Sequence, residues 1–337
     1  GTRYSAELSD LFTRTRLANG QPSFALQFSQ FANLLNKYEF DYRPLHLEPI
    51  KIYIGGSEAE VLPSSVLEHS LKKHASMTIE CHRLCKSKIE IPEPRQQSNQ
   101  ARTPFSFQRF LIPELSNDQG KAIYLDSDML VLQDIRQLWQ MDLAGADVLC
   151  INPAIPAQKD SQFSVMLMDC ASLKWRISEI VKELDSGTYT YEALMHQMAA
   201  AKKVSARISP KWNFLDRYHE GSTALVHFTD MNRQPWVSRD NPAAALWVEY
   251  LHEAIKKASI TMGDLKNQVA IGNIRPSLIT QIERVKYNPA DLNEQEIKLD
   301  WEFLPPHLRM KETKVARSGP NLLSQLKQKW LGTRRGQ

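Results

Sequence analysis

Two carboxylates one position apart, Asp126 and Asp128, close an apolar run, and an imidazole, His227, closes another far downstream. The first run reads Lys121-Ala122-Ile123-Tyr124-Leu125-Asp126-Ser127-Asp128, and the second Leu225-Val226-His227-Phe228-Thr229-Asp230. Buried carboxylates are costly unless paired, hydrogen-bonded or bound to a cation. Two carboxylates and an imidazole suit Mn²⁺ or Mg²⁺, with positions left open for phosphate oxygens. The competing reading of Asp126-Ser127-Asp128 is a solvated Asx turn without a ligand. A histidine ending a strand by itself is structural more often than ligating, and becomes a third ligand only beside the distant acidic pair.

Such side chains need elements to position them. Ile123–Leu125 is a short β-prone run of the kind found in buried strands, and α/β proteins bind ligands where such strands leave the sheet. Ile52-Tyr53-Ile54 predicts another strand, ending on Gly55-Gly56-Ser57, and Ser64–His74 a helix carrying Val66, Leu67 and Leu71. Together they form an opening βα step, although the full GxGxxG fingerprint is missing. Further strands are expected at Met77–Cys81, Asp147–Ile151, Ser164–Asp169 and Ala224–Thr229. Helices are expected at Thr103–Leu115, Tyr189–Ala201 and Ala243–Ala258. Residues 5–40 read as one or two amphipathic helices with Phe24, Phe28, Phe31, Leu34 and Leu35 at near-helical spacing. Beyond Ile260 the periodicity weakens, broken at Pro276, Pro305, Pro306 and Pro320. The expected organisation is a helical extension over 1–48, an α/β domain over 49–258, and a C-terminal extension over 259–337.

A chain of 337 residues, 42% hydrophobic and 24% charged, has the composition of a soluble globular protein with one large core. No run approaches the ~18 apolar residues of a membrane span, and no secretory leader pattern opens the chain. Cys150 and Cys170 sit in apolar runs, as buried thiols of a reducing cytoplasm do. Cys81-His82 and Cys85 lack a second ligand pair at zinc-finger spacing. Net charge is +4, but residues 309–337 carry eight Lys/Arg against one Glu, so the body is slightly acidic. A nucleic-acid-binding core is therefore not expected.

The chain resembles glycosyltransferase family 8, the retaining GT-A glycosyltransferases, in several segments that occur in the family's order. IYIGGS resembles its first nucleotide-binding strand, and FSFQRFLIPEL its arginine-bearing helix, with Arg109 seventeen residues before Asp126. KAIYLDSDMLVLQDIRQLW matches its metal-binding segment down to Asp134, Leu138 and Trp139. ISPKWNFL resembles its "LPxxWN" segment, and HFTDMNRQPW its closing "HFxGxxKPW" motif. The resemblance spans roughly residues 50–258. It implies a GT-A fold, a Rossmann-like mixed central sheet flanked by helices, with helical N- and C-terminal extensions outside it. It further implies Mn²⁺ (or Mg²⁺) on Asp126, Asp128 and His227, bridging the diphosphate of a nucleotide-sugar donor, most often a UDP-sugar such as UDP-glucose or UDP-galactose. Ile54, Gly55, Gly56, Ser57, Arg109, Asp126, Ser127, Arg233 and Gln234 would line the donor. The acceptor would be a saccharide, a lipid-linked molecule or a protein.

The sequence also departs from the family. Gln234 stands where the family's diphosphate-holding Lys precedes Pro-Trp, with Arg233 beside it as a substitute, and Asp230 replaces a Gly. Where the family reads "DQDxLN" this chain reads Thr190-Tyr191-Glu192-Ala193-Leu194-Met195, and its "FNxGVxLxN" becomes a run from Gln162 to Asp169. Asp169, Tyr191 and Glu192 are the candidate catalytic residues, Asp169 and Glu192 as hydrogen-bonding groups for donor sugar or acceptor hydroxyls. No obvious carboxylate replaces the family's Gln, which favours same-face attack over double displacement. Leu322, Leu323, Leu326 and Trp330 share one face of a basic C-terminal helix, suited either to peripheral contact with an anionic membrane or to docking on the protein's own core. The expected location is the cytoplasm, with the tail as a possible membrane contact. Two rivals stand beside the transferase. One is a sugar-nucleotide-binding pseudoenzyme or partner subunit. The other is a haloacid dehalogenase-like phosphatase, whose DxD is followed soon by Thr or Val where this chain has Met129-Leu130.

Overall fold

The computed structural model describes residues 48–153 and 162–309. The helices expected within residues 5–40 and the basic amphipathic tail lie outside the described residues.

Among the described residues, nine strands form two sheets. The larger comprises β1 (Ile50–Gly55), β2 (Ile79–Arg83), β3 (Lys121–Asp126), β5 (Val148–Ile151), β6 (Val165–Asp169) and β7 (Val204–Ile208), in the spatial order β2-β1-β3-β6-β5-β7. β2, β1 and β3 are parallel, β6 runs against both β3 and β5, and β7 is parallel to β5. The smaller sheet holds β4 (Met129–Val131), β8 (Phe214–Leu215) and β9 (Leu225–His227), in the order β4-β9-β8.

The four central strands of the larger sheet, β1, β3, β6 and β5, are buried on both faces, which is why they read as largely apolar runs. Alternation with period two divides each strand between them. Ile52, Ile54, Ile123, Leu125, Leu149 and Leu167 face one cluster, covered by Leu67 and Leu71 of α1 (Val61–His74). Tyr53, Ala122, Tyr124, Val148, Met166 and Met168 face the other. That second face is covered in part by α2 (Ile177–Ser186) and α3 (Tyr191–Gln197).

A third cluster lies under the small sheet. It joins Leu62, Leu130, Val226, Phe228 and Trp236 to Trp247, Val248 and Leu251 of α4 (Ala244–Lys256). Ile260, Leu265, Ile274, Leu278, Ile282 and Phe303 complete it. They come from three short helices and their connectors: α5 (Met262–Ala270), α6 (Ser277–Glu283) and α7 (Glu294–Lys298). Each is too short for a clear apolar stripe, but local signals start them: capping boxes at Thr261 and Asn293, and Pro276 just ahead of α6. The described residues from Pro49 onward lie within one compact unit.

Two expected helices differ from what forms. Thr103–Leu115 is not one helix: turns lead to a 3₁₀ segment, Gln108–Leu111, and then a single α turn, Ile112–Leu115. Thr103 and Ser106 bond each other's hydroxyls at 2.9 Å, the local polar alternative that competes with helix. The helix expected over Tyr189–Ala201 ends at Gln197, because Met198 turns left-handed at φ 55°. Among the described residues no helix is long and apolar enough to cross a membrane.

Candidate functional site

Strand pairing brings the three ligand-type residues together. Asp126 is the last residue of β3 and lies beside Gly55, the last residue of β1. The Ser127 amide donates to the Gly55 carbonyl at 2.8 Å, fixing the turn that follows. Two residues later the chain leaves the large sheet and enters the small one. There Met129 pairs with His227, and the Phe228 amide donates to the Asp128 carbonyl at 2.9 Å. Asp126 thus ends a strand of one sheet, His227 ends a strand of the other, and Asp128 lies in the bend that joins the two sheets. Their ligand atoms lie within 4.8 Å of one another.

The imidazole is oriented from behind. Asn213, immediately before β8 in the Trp-Asn step, presents Oδ1 to His227 Nδ1 at 2.8 Å. With the amide oxygen accepting, Nδ1 carries the proton and Nε2 keeps its lone pair, the tautomer that ligates a metal. Nε2 then faces Asp128 Oδ1 at 3.1 Å and Asp126 Oδ2 at 3.9 Å. Asp128 Oδ1 is a buried atom that accepts no hydrogen bond. Three electron-pair donors converge on one point, which fits a divalent cation. Without one, burial pushes the imidazole down but Asp128 and Asp126 pull it up further, so His227 titrates above its ordinary value.

The remaining lone pairs of the two carboxylates are tied down. Tyr124 donates its hydroxyl to Asp126 Oδ1 at 2.6 Å, and Arg109 Nη2 lies 3.8 Å from that oxygen. Arg109 also donates to the Phe163 carbonyl at 3.1 Å and stacks its guanidinium over the Tyr124 ring. Gln234 Nε2 donates to Asp128 Oδ2 at 3.1 Å and to the Phe228 carbonyl at 2.9 Å. Arg109 therefore stands as a buried cation beside the carboxylate pair.

Gly55 and Gly56 floor the site by close approach. A Cβ on Gly55 would come within 2.3 Å of the Tyr124 hydroxyl, and one on Gly56 within 2.6 Å of Ser127 Oγ. Gln108 clasps Gly56, accepting from its amide at 3.1 Å and donating to its carbonyl at 3.0 Å. Ser57 donates its amide and hydroxyl to Glu60 Oε2 at 2.7 and 2.8 Å. Burial, with Asp128 and Asp126 nearby, lifts the Glu60 carboxyl to about 7.

Other expected residues stand elsewhere. Asp169 pairs with Lys121 at the start of β3, so five strand residues, about 17 Å, separate it from Asp126. Its carboxylate caps the helical turn Cys170–Leu173. Tyr191 is buried in the core cluster, its hydroxyl on Ser106 Oγ at 3.2 Å. Glu192 is exposed and paired with Arg102. Arg233 points its guanidinium at the Asp240 carbonyl, 2.6 Å away, on an exposed loop. Sequence reasoning missed Tyr124, Gln108, Asn213 and Glu60 as site residues. The Ser57-x-x-Glu60 spacing was the available signal for the last. Asn213 lay in a recognised segment without an assigned role.

The fold and this cluster define a mixed α/β protein whose cation-competent side chains sit where strands leave the sheet. Residues 48–191 match the model of glycosyl transferase family 8. That match takes in β1 to β6 with Asp126 and Asp128, and it supports a glycosyltransferase. Protein CDI of Arabidopsis thaliana is 24% identical over 236 residues, covering 62% of this chain and 89% of that protein. Among solved structures, a galactosyltransferase, LgtC, in complex with donor and acceptor sugar analogs is 15% identical, with a TM-score of 0.43 over 63% of this chain and all of its own. The glycosyltransferase GlyE of Streptococcus pneumoniae TIGR4 is 17% identical, with a TM-score of 0.45 over 63% of this chain and 64% of that one.

Proposed function

We propose that this glycosyltransferase moves a hexose from a nucleotide-sugar, UDP-glucose or UDP-galactose in the first instance, to a hydroxyl acceptor with retention of configuration, and that it depends on Mn²⁺ or Mg²⁺. The observation that carries this reading is the convergence of Asp126, Asp128 and His227 Nε2, with the tautomer set by Asn213. These three residues would hold the ion, and a divalent ion there supplies Lewis acidity that neutralises charge on the departing diphosphate. Arg109 adds a fixed positive charge beside Asp126. The missing side chains of Gly55 and Gly56 let Tyr124 and Ser127 pack against the turn, which sets it beside Asp126 as the donor-binding edge. No carboxylate other than Asp126 and Asp128 is held against this cluster by a direct contact in the described residues, which supports same-face attack. In that reaction the leaving phosphate oxygen takes the proton of the acceptor hydroxyl. A saccharide, lipid-linked or protein acceptor fits this chemistry equally.

The test is thermal-shift and calorimetric titration of UDP-, GDP- and ADP-sugars with and without Mn²⁺, followed by donor turnover. Donor binding is expected to require the metal and to favour the UDP-sugar. Asp128→Ala and His227→Ala are each expected to abolish Mn²⁺-dependent turnover in a folded chain. Near wild-type turnover in either variant would sink the metal assignment.

A further inference from the structure

The loop that carries Gln234 is fastened from behind by the C-terminal segment. Arg275, fully buried, donates Nε to the Pro235 carbonyl at 3.0 Å and its amide to the Trp236 carbonyl at 2.9 Å. The other arms of its guanidinium bond Ser277 Oγ and Gln281 Oε1. Asp300, also buried, accepts from the Ser277 amide at 2.8 Å and its hydroxyl at 2.6 Å, and lies 4.0 Å from Arg275 Nη1. Burying a guanidinium and a carboxylate is expensive, and well-packed apolar residues usually stabilise a core as well or better. A buried ion pair whose guanidinium is aimed at the Pro235 carbonyl of this loop therefore points to geometry rather than to stability.

The geometry it holds is that of Asp128. Gln234 immediately precedes Pro235, and its Nε2 reaches Asp128 Oδ2 at 3.1 Å. That contact occupies one carboxylate oxygen and leaves Oδ1 facing His227 Nε2. We propose that Arg275 is a positioning residue for the metal-ligating carboxylate of Asp128, acting through the Gln234-Pro235 step. The inference rests on the metal-site reading above. A shift of the Pro235 carbonyl by an ångström takes Gln234 Nε2 out of hydrogen-bond range. Asp128 is then free to turn, and the cluster must be ordered by the incoming cation instead of waiting for it.

The experiment is calorimetric titration of the full chain with Mn²⁺ alone, well below the melting temperature, for wild type, Arg275→Lys, Gln234→Leu and the double variant. Lysine keeps the charge but cannot fork between Pro235 and the Ser277/Gln281 pair. Outer-shell losses typically cost 10–100-fold in metal affinity, so Gln234→Leu is expected to weaken Mn²⁺ binding about tenfold. Arg275→Lys is expected to weaken it several-fold, and the double variant no more than Gln234→Leu alone, because both act on one contact. A lowered melting temperature with unchanged Mn²⁺ affinity in Arg275→Lys would overturn the proposal and leave the metal site standing. Additive losses would overturn it as well. Failure of the wild-type chain to bind Mn²⁺ would overturn both. If Arg275→Lys does not fold, Gln281→Leu, which frees one arm of the guanidinium, carries the test. Its Mn²⁺ affinity is expected to fall, and an unchanged value overturns the inference.

Discussion

At the scale of single residues, the site depends on side chains that orient others. His227 is 4% exposed, and its ring is held by Asn213. Replacing Asn213 with Ala leaves Nδ1 without that acceptor and frees the tautomer, so Mn²⁺ affinity is expected to drop about 10-fold or more by calorimetry. Glu60 offers a test by pH. Its carboxyl titrates near 7 in the folded protein, against an ordinary value of 4.5. The folded state therefore holds a proton that the unfolded state has released, and stability falls as pH rises from about 4.5 to about 7. Glu60→Gln keeps an oxygen for Ser57 and removes the titration. The metal-free variant is expected to melt above wild type at pH 8, with the difference closing at pH 5. A difference independent of pH would show that Glu60 ionises freely.

At the scale of elements, the decisive event is the exchange of sheets between Asp126 and Met129. β3 ends beside β1, whereas β4 pairs with β9, so three residues span two sheets and set both carboxylates around one point. Gly56 makes room for this turn. Gly56→Ala would place a methyl 2.6–2.7 Å from the Ser127 side chain, with both residues confined. Overpacking of this kind costs about 1–3 kcal/mol, read as a lower melting temperature together with weaker Mn²⁺ binding. Ser127→Gly in the same chain is expected to restore much of both, which a general backbone effect of alanine would not allow. The same turn explains what the sequence showed. An apolar run ending in two carboxylates was readable in Ile123–Asp128. The short strands β4 and β8 were not, because two or three residues carry no periodicity. The four central strands of the large sheet were readable because both faces are buried; β2 lies two residues later than expected, and the largely exposed β7 was not expected.

At the scale of the whole molecule, the segment after α4 shares a core with the small sheet that carries His227. Trp247, Val66, Leu130 and Phe228 pack in one cluster with Ile260, Leu278 and Phe303. Removal of residues 259–337 is expected to expose that cluster, giving dye binding and loss of a cooperative thermal transition. A truncated chain that melts like wild type would place the closure of this core before residue 259. Weak periodicity in short helices broken by prolines concealed this contribution, and burial of Arg275 and Asp300 could not be read from a chain where both are ordinary polar residues.

The sequence by itself determined the chemistry on offer: the acidic pair, the histidine at a second strand end, the glycine turn and Arg109. It could do so because strand alternation and motif spacing are local properties of the chain. Tertiary structure decided which of those residues meet. It set Asp169 at the opposite end of the sheet through the antiparallel register of β3 and β6, and sealed Tyr191 into the core. It also brought Asn213 behind His227 and turned Gln234 inward onto Asp128. Register, sheet exchange and long-range burial join residues far apart in the chain, and no local pattern encodes them.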